Sequence, residues 1–174
     1  FAQTCSDIDS LRAAVSVHMA DAVRTLRLQK SAAGTVVVLF HSDPFKTNVP
    51  HHAVFKLERL PHACADVLTL TKKAVELVDR YYKSGIEYKK AGIVLSDLVP
   101  ASDSLVRETL FDGEEIAALQ RRERVQGVLD AMTRKFGNGV LNVASAKVSN
   151  QWCMRRDLLS PCCTTRWEDV LKVN

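Results

Sequence analysis

The sequence predicts an α+β fold: a four-stranded antiparallel sheet with two helices on one face, then a linker and a small helix-plus-strand C-terminal domain. Three observations carry this. Residues 1–100 alternate strand-like and helix-like patterns in the order β-α-β-β-α-β, the split βαβ arrangement. The helical stretches repeat apolar residues at i, i+3 and i+4, and the strand stretches are short, β-branched or alternating. After Pro100 the texture changes to Ser, Asp, Gly and Glu.

The elements follow in order. Phe1 to Cys5 is a short apolar strand, and Ser6 or Asp7 caps the helix after it. From Ile8 to Gln29 the apolar residues are Leu11, Val15, Met19 or His18, Ala22, Val23 and Leu26, and Gly34 breaks the pattern. Thr35 to His41 is a buried strand. Ser42-Asp43-Pro44 is a turn, and Ala53 to Leu57 a strand with Phe55 and Leu57 on one face. His62 to Tyr82 is an amphipathic helix through Val67, Leu70, Ala74, Leu77, Val78 and Tyr81, ended by Gly85. Ile86 to Leu98 is the last strand, with Ala91, Ile93 and Leu95 sharing a face. The helices cover one sheet face, so the other is open and is expected to carry His41, Lys56, Tyr88 and Lys90. Residues 101–115 form the linker, with an apolar island at Leu110-Phe111. Glu115 to Phe136 is a third helix, with Ile116, Leu119, Val125 or Arg122, Leu129 and Met132 in register, stopped by Gly137-Asn138-Gly139. Val140 to Val148 alternates like a strand. Ser149 to Asn174 is short-looped and locally basic.

Composition excludes several classes. The chain has 174 residues, 24 Lys plus Arg against 20 Asp plus Glu, a formal charge of +4 and 47% apolar residues. That is too apolar and too balanced for a disordered chain. Its longest apolar run, Val36 to Phe40, falls far short of the roughly 18 residues of a membrane span, so no membrane partner is expected. Five cysteines without a spaced framework, and no signal-peptide core, fit a reducing, cytoplasmic setting. The chain opens at Phe1 inside an apolar pattern, as a fragment of a longer protein would.

No catalytic constellation stands out. Adjacent Cys162-Cys163 and His51-His52 lack zinc-ligand spacing. The G-N-G at 137–139 follows a helix where a dinucleotide loop would precede one. Asp7 and Asp9 sit where a helix N-terminus favours acids. His62 and Cys64 stand at i and i+2, which do not share a face on the expected helix. Charge is the better lead. Lys, Arg, hydroxyl and backbone N–H groups hold phosphates without reading sequence. The turn at Phe45-Lys46-Thr47-Asn48, together with Tyr88, Lys89 and Lys90, supplies such groups at the sheet edge.

Gln151-Trp152-Cys153-Met154-Arg155-Arg156-Asp157-Leu158-Leu159-Ser160-Pro161 and Thr164-Thr165-Arg166-Trp167-Glu168-Asp169-Val170 resemble the closing segment of UmuC-type proteins. These are Y-family translesion DNA polymerases whose chains end in W-x-M-[KR]-R-x-x-L-S-P-R-Y-T-T-R. Phe136 to Ala144 is similar to the family's G-x-G-x-[VL]-x-x-A. Phe45, Asn48 and Pro50 resemble its S-P-F-x-x-N-x-P turn, and Tyr88-Lys89-Lys90-Ala91-Gly92 its Y-x-K-A-G motif. Cys162 and Cys163 depart from the family's Arg-Tyr.

The resemblance implies a little-finger domain over residues 1–100, whose sheet lies in the DNA major groove and grips the primer–template backbone. The candidate DNA contacts are His41, Lys46, Thr47, Asn48, His52, Tyr88, Lys89 and Lys90. The catalytic palm and its Mg2+ would lie upstream of Phe1, so this stretch would bind DNA, hold no cofactor and polymerise nothing. Arg107-Glu108-Thr109-Leu110-Phe111 aligns with the family's Q-L-x-L-F clamp-binding peptide and keeps only Leu110 and Phe111. Residues 116–174 would be a C-terminal interaction module using Trp152, Arg155, Arg156, Arg166 and Trp167. Its implied partners are the UmuD′ dimer, the recombinase filament and the sliding clamp. The alternative is a protein-interaction module of a truncated gene product that binds no DNA.

Overall fold

A computed structural model describes residues 4–102, 113–137, 143–146, 162 and 168, with the side chains of 113–120 excepted. Its elements are α1 (Ile8–Leu28), β1 (Ser31–Ser42), β2 (Ala53–Cys64), α2 (Val67–Tyr81), β3 (Tyr88–Pro100) and α3 (Gly113–Phe136). The three strands form an antiparallel sheet in the order β2-β1-β3. Of the expected first strand, Cys5 exchanges both backbone hydrogen bonds with Tyr88, at 2.8 and 2.7 Å, on the outer side of β3. Phe1 to Gln3 lie outside the described residues, so a full fourth strand is not seen.

Both helices of the first hundred residues start where a carboxylate meets free backbone N–H groups. Asp7 accepts from Ser10 N–H at 2.7 Å, and Asp66 from Thr69 N–H at 2.9 Å and Thr69 Oγ1 at 2.6 Å; each satisfies a donor the helix leaves unpaired. Hydrogen bonding from Ser10 holds the Asp7 carboxyl below the usual range. The α1 stripe Leu11, Val15, Met19, Val23 and Leu26 is buried as the sequence predicts. Its first four members pack with Val67, Leu70, Ala74, Leu77 and Val78 of α2 onto Val36, Val38 and Phe40 of β1 and Val54 of β2. Each large member stabilises the fold by about 1.5–3 kcal/mol.

Several boundaries move. Gly34 does not end α1. The helix stops at Leu28, Lys30 turns the chain at φ 54°, and Gly34 lies inside β1. There the β1–β2 register shifts, and a side chain on Gly34 would come within 3.2 Å of Asp97 Cβ. Asp97 itself has φ 52° and accepts a hydrogen bond from Thr35 Oγ1. β2 runs on to Cys64, so His62 and Cys64 stand on a strand, where i and i+2 share a face, and not on a helix.

The C-terminal helix α3 ends at Gly137, φ 91°, whose N–H bonds Thr133 O at 2.9 Å, as the sequence predicts. Leu129 packs against the core and Met132 is half-buried, as expected, but at the turn before them Gln126 is buried while Val125 is exposed. Gln126 Oε1 accepts from Val67 N–H at 3.3 Å, at the start of α2. Arg27 of α1 bonds Asp130 at 2.6 Å and Glu123 at 3.0 Å. Ser16 Oγ lies 2.9 Å from Ser145 Oγ, and Ala146 is buried. In the expected strand at 140–148, the described residues Val143–Ala146 form a turn closed by Ala146 N–H to Val143 O at 2.8 Å.

Candidate nucleic-acid interface

The register fixes which side chains share the face that the helices leave bare, because residues directly opposite in an antiparallel pair project to the same side. Reading β2, β1 and β3 across gives four rows. They are Ala53–His41–Lys90, Phe55–Leu39–Gly92, Leu57–Val37–Val94 and Arg59–Thr35–Ser96. Rows are about 7 Å apart along the strands and columns about 4.8 Å apart. The outer rows carry the cations and hydroxyls. The inner two are wholly apolar, and Phe55, Leu57 and Val94 are 69%, 55% and 44% exposed.

His41 and Lys90 therefore lie side by side, as expected for the open face. The other two residues expected there do not. Lys56 pairs with Val38 and projects to the helix side, where its ammonium stands 5.0 Å over the Tyr81 ring. Tyr88 is fully buried, because the β1–β3 register shifts between His41 and Ser42 and turns it inward. Its ring meets Phe40 edge to face at 5.2 Å. Its hydroxyl lies 2.9 Å from His52 Nδ1 and accepts from Lys83 N–H at 3.1 Å. Burial pushes the Tyr88 phenol up, and burial, then the Lys83 cation, push the His52 imidazole down. Tyr88 cannot touch a ligand on the open face, and His52 belongs to its inner cluster.

The turn at 43–50 joins β1 to β2 beside the His41–Lys90 row. Ser42 and His52 close its base. Ser42 N–H donates to His52 O at 2.9 Å, and His52 N–H to Ser42 Oγ at 3.0 Å. Asp43 accepts from Phe45 N–H at 3.0 Å, an Asx turn, and Phe45 stands 91% exposed at the tip. Thr47 and Asn48 are exposed, and Lys89 is half-buried. Lys46 is tied to Glu87 at 3.0 Å. That contact, then the Thr4 hydroxyl, hold the Glu87 carboxyl below its ordinary range. Among the described residues neither Lys90 nor Arg59 takes part in an ion pair.

Sequence reasoning missed Arg59 and the apolar rows. The expected strand over Ala53 to Leu57 puts Phe55 and Leu57 on one face but stops short of Arg59, and the helix expected from His62 takes the last residues of β2. The alternation Phe55, Leu57, Arg59 is the signal that would have extended the strand. Leu110, Phe111, Trp152, Arg155, Arg156, Arg166 and Trp167 lie outside the described residues. Among the described residues no three His, Cys, Asp or Glu side chains gather as metal ligands would. No helix among them is long and apolar enough to cross a membrane.

Two family models match the chain. The impB/mucB/samB family C-terminal domain covers residues 1–107, and a domain of unknown function covers residues 123–173. The chain is 31% identical over 170 residues to protein SamB of Salmonella typhimurium, covering 98% of this chain and 39% of that protein. It is 30% identical over 173 residues to protein UmuC of Salmonella typhimurium, covering 99% of this chain and 40% of that protein. With protein MucB of Escherichia coli the identity is 29% over 170 residues, 98% of this chain and 39% of that protein. The chain thus spans about two-fifths of the length of the curated relatives it matches. It belongs to the impB/mucB/samB family of UmuC-type proteins and carries that family's C-terminal domain.

Proposed function

We propose that this stretch is the DNA-gripping, non-catalytic C-terminal part of an error-prone translesion DNA polymerase acting in SOS repair and mutagenesis. Residues 1–100 form the little finger, 101–115 a linker, and 116–174 a module that docks partner proteins. The separate family matches on either side of residues 108–122 support that division. The single observation that carries DNA binding is the open sheet face. Its outer rows place His41, Lys90 and Arg59 around the bare strands, with Lys90 and Arg59 unpaired among the described residues. Lys89, Thr47 and Asn48 adjoin the first row, and Lys46 reaches DNA by exchanging Glu87 for phosphate. Such groups neutralise phosphates and release counterions, which gives affinity without sequence preference.

By family, the UmuD′ dimer, the recombinase filament and the sliding clamp are the partners proposed for residues 101–174. The polymerase activity belongs to a palm outside this stretch. Titrating the chain into labelled primer–template DNA at increasing salt tests the grip. Affinity should fall steeply with salt, and Lys90→Ala or Arg59→Ala should each reduce the log–log slope by about 1. No binding at low salt would leave only the protein-interaction reading.

A further inference from the structure

The C-terminal helix α3 reverses the usual arrangement of a helix lying on a protein, which buries its apolar stripe and turns its polar face to water. Over residues 121–136 it meets the helix layer through Glu123 and Asp130, both held by Arg27, and through the buried Gln126, with Leu129 adding an apolar contact to the core. Val125, Val128 and Phe136 are meanwhile 45%, 60% and 54% exposed. At about 3.6 residues per turn these three, with the half-buried Met132, fall within about 80° of the helix circumference and extend about 16 Å along it. They form one narrow stripe on the side away from Glu123 and Asp130. Its border is cationic. Arg121 stands one turn before Val125, Arg124 and Lys135 lie along one edge and Arg122 along the other, all exposed. The Lys135 ammonium lies 5.2 Å over the Phe136 ring, at the stripe itself.

We infer that this stripe docks a helix of another protein, one that carries acidic residues on either side of an apolar seam. Shape and charge select this occupant. The spacing Val125, Val128, Met132, Phe136 makes a seam one side chain wide, the kind a second helix fills, and charges flanking such a seam choose the partner. A membrane-surface helix sinks a broad apolar face into the lipid, whereas Arg121 stands within the width of this stripe. The back of α3 is fixed by Arg27 and Gln126, so a groove cannot close round it, but a helix can lie alongside. A second copy of this chain would set the same cations against themselves. Residues 147–174 carry five Lys and Arg against three Asp and Glu, the same sign as the border. A flanking row of carboxylates completes the charge that the border leaves open, since the two acids of 121–136 are spent on Arg27.

This deepens the reading of residues 116–174 as a docking module and rests on it. The test titrates the full chain into labelled three-heptad helical peptides with Leu along the seam, one flanked by Glu and one by Lys, and into phosphatidylglycerol vesicles. The Glu peptide should bind at least about tenfold more tightly than the Lys peptide. Val128→Ser with Phe136→Ser should weaken it about tenfold and leave the urea midpoint in place, because both side chains are exposed. Arg121→Glu with Lys135→Glu should reverse the preference, so that the Lys peptide binds the more tightly, a gain that loss of folding cannot imitate. Equal binding of the two peptides would overturn the proposal, as would Glu-peptide binding that neither double variant alters. Binding to vesicles without binding to the Glu peptide would give the stripe to a membrane, and self-association abolished by Val128→Ser would give it to a second copy; either overturns the proposal. If no probe binds, the stripe is not a docking site. The docking reading survives that result when any of the three partners proposed above binds the full chain, and falls with it when none does.

Discussion

The two faces of the sheet are built from alternate residues of the same strands, yet they handle charge in opposite ways. On the helix side the two charged residues of β2, Glu58 and Lys56, each find a partner. Glu58 takes Lys73 at 3.5 Å and Arg80 at 3.8 Å, and Lys56 lies over Tyr81. Across the helices Arg12 joins Asp79 at 2.7 Å and Asp9 at 2.9 Å. On the open side Lys90 and Arg59 flank apolar rows whose edge-strand members Phe55, Leu57 and Val94 are exposed, with no carboxylate spent on the two cations among the described residues. Satisfied charges within a packed layer specify how the layers sit. Unsatisfied ones beside bare apolar surface are what a ligand would complete.

The sharpest way to break this contrast is to truncate one aromatic on each side. Tyr88→Ala empties a fully buried site and should cost about 3–5 kcal/mol of stability. Tyr88→Phe, which keeps the ring and strands the partners of the hydroxyl, should cost about 1–2 kcal/mol. Phe55→Ala, on the open side, should change the stability read from urea unfolding by no more than about 0.5 kcal/mol. If the two alanine variants were equally destabilised, the faces would not be the inside and outside of one core.

A smaller effect is expected at the outer surface of the helix layer, where the C-terminal helix meets it. Arg27 is mostly buried between Asp130 and Glu123, and Gln126 spans from Asp130 to the first N–H of α2. Arg27→Ala should cost about 1–2 kcal/mol. A double-mutant cycle with Asp130→Asn should show strong coupling, since both remove the same contact. Additive effects would mean that α3 does not rest on α1 through this pair. DNA affinity should not move in either variant, because the open face is on the far side of the sheet.

What the sequence made legible follows the same division. The core was readable because burial leaves a period: Leu11, Val15, Met19 and Val23 at 3.6 and Val36, Val38 and Phe40 at 2. Phase errors arose where the period is interrupted by backbone geometry that composition does not mark. A one-residue register shift after His41 put Tyr88 inside, although the counting that placed His41 and Lys90 outside was sound. Lys56 looks like a surface residue by type. It stands on the helix side because a long stem can run along apolar surface and deliver its ammonium to Tyr81. The docking of α3 was not legible, since it rests on Arg27, Gln126 and Asp130, polar residues separated by some hundred positions whose pairing leaves no local pattern.

The smallest expected effect lies at the border of the two faces, in the pH dependence of His52. Its imidazole is lowered by burial and then by Lys83, and it sits beside the Tyr88 hydroxyl at 2.9 Å. A base whose pKa is lower folded than unfolded binds fewer protons in the native state. Stability then rises with pH between the folded value and the ordinary value of about 6.5. Above that value the contribution is complete, and as pH falls below it stability is progressively lost. His18, lowered by its own burial in α1, has the same sign. The urea midpoint should thus decline as pH drops through this window, and His52→Gln should flatten part of the decline and leave the His18 share. An unchanged slope in that variant would show that His52 is free to take up its proton in the folded chain, and that the Tyr88 cluster opens to solvent on the side that carries the turn.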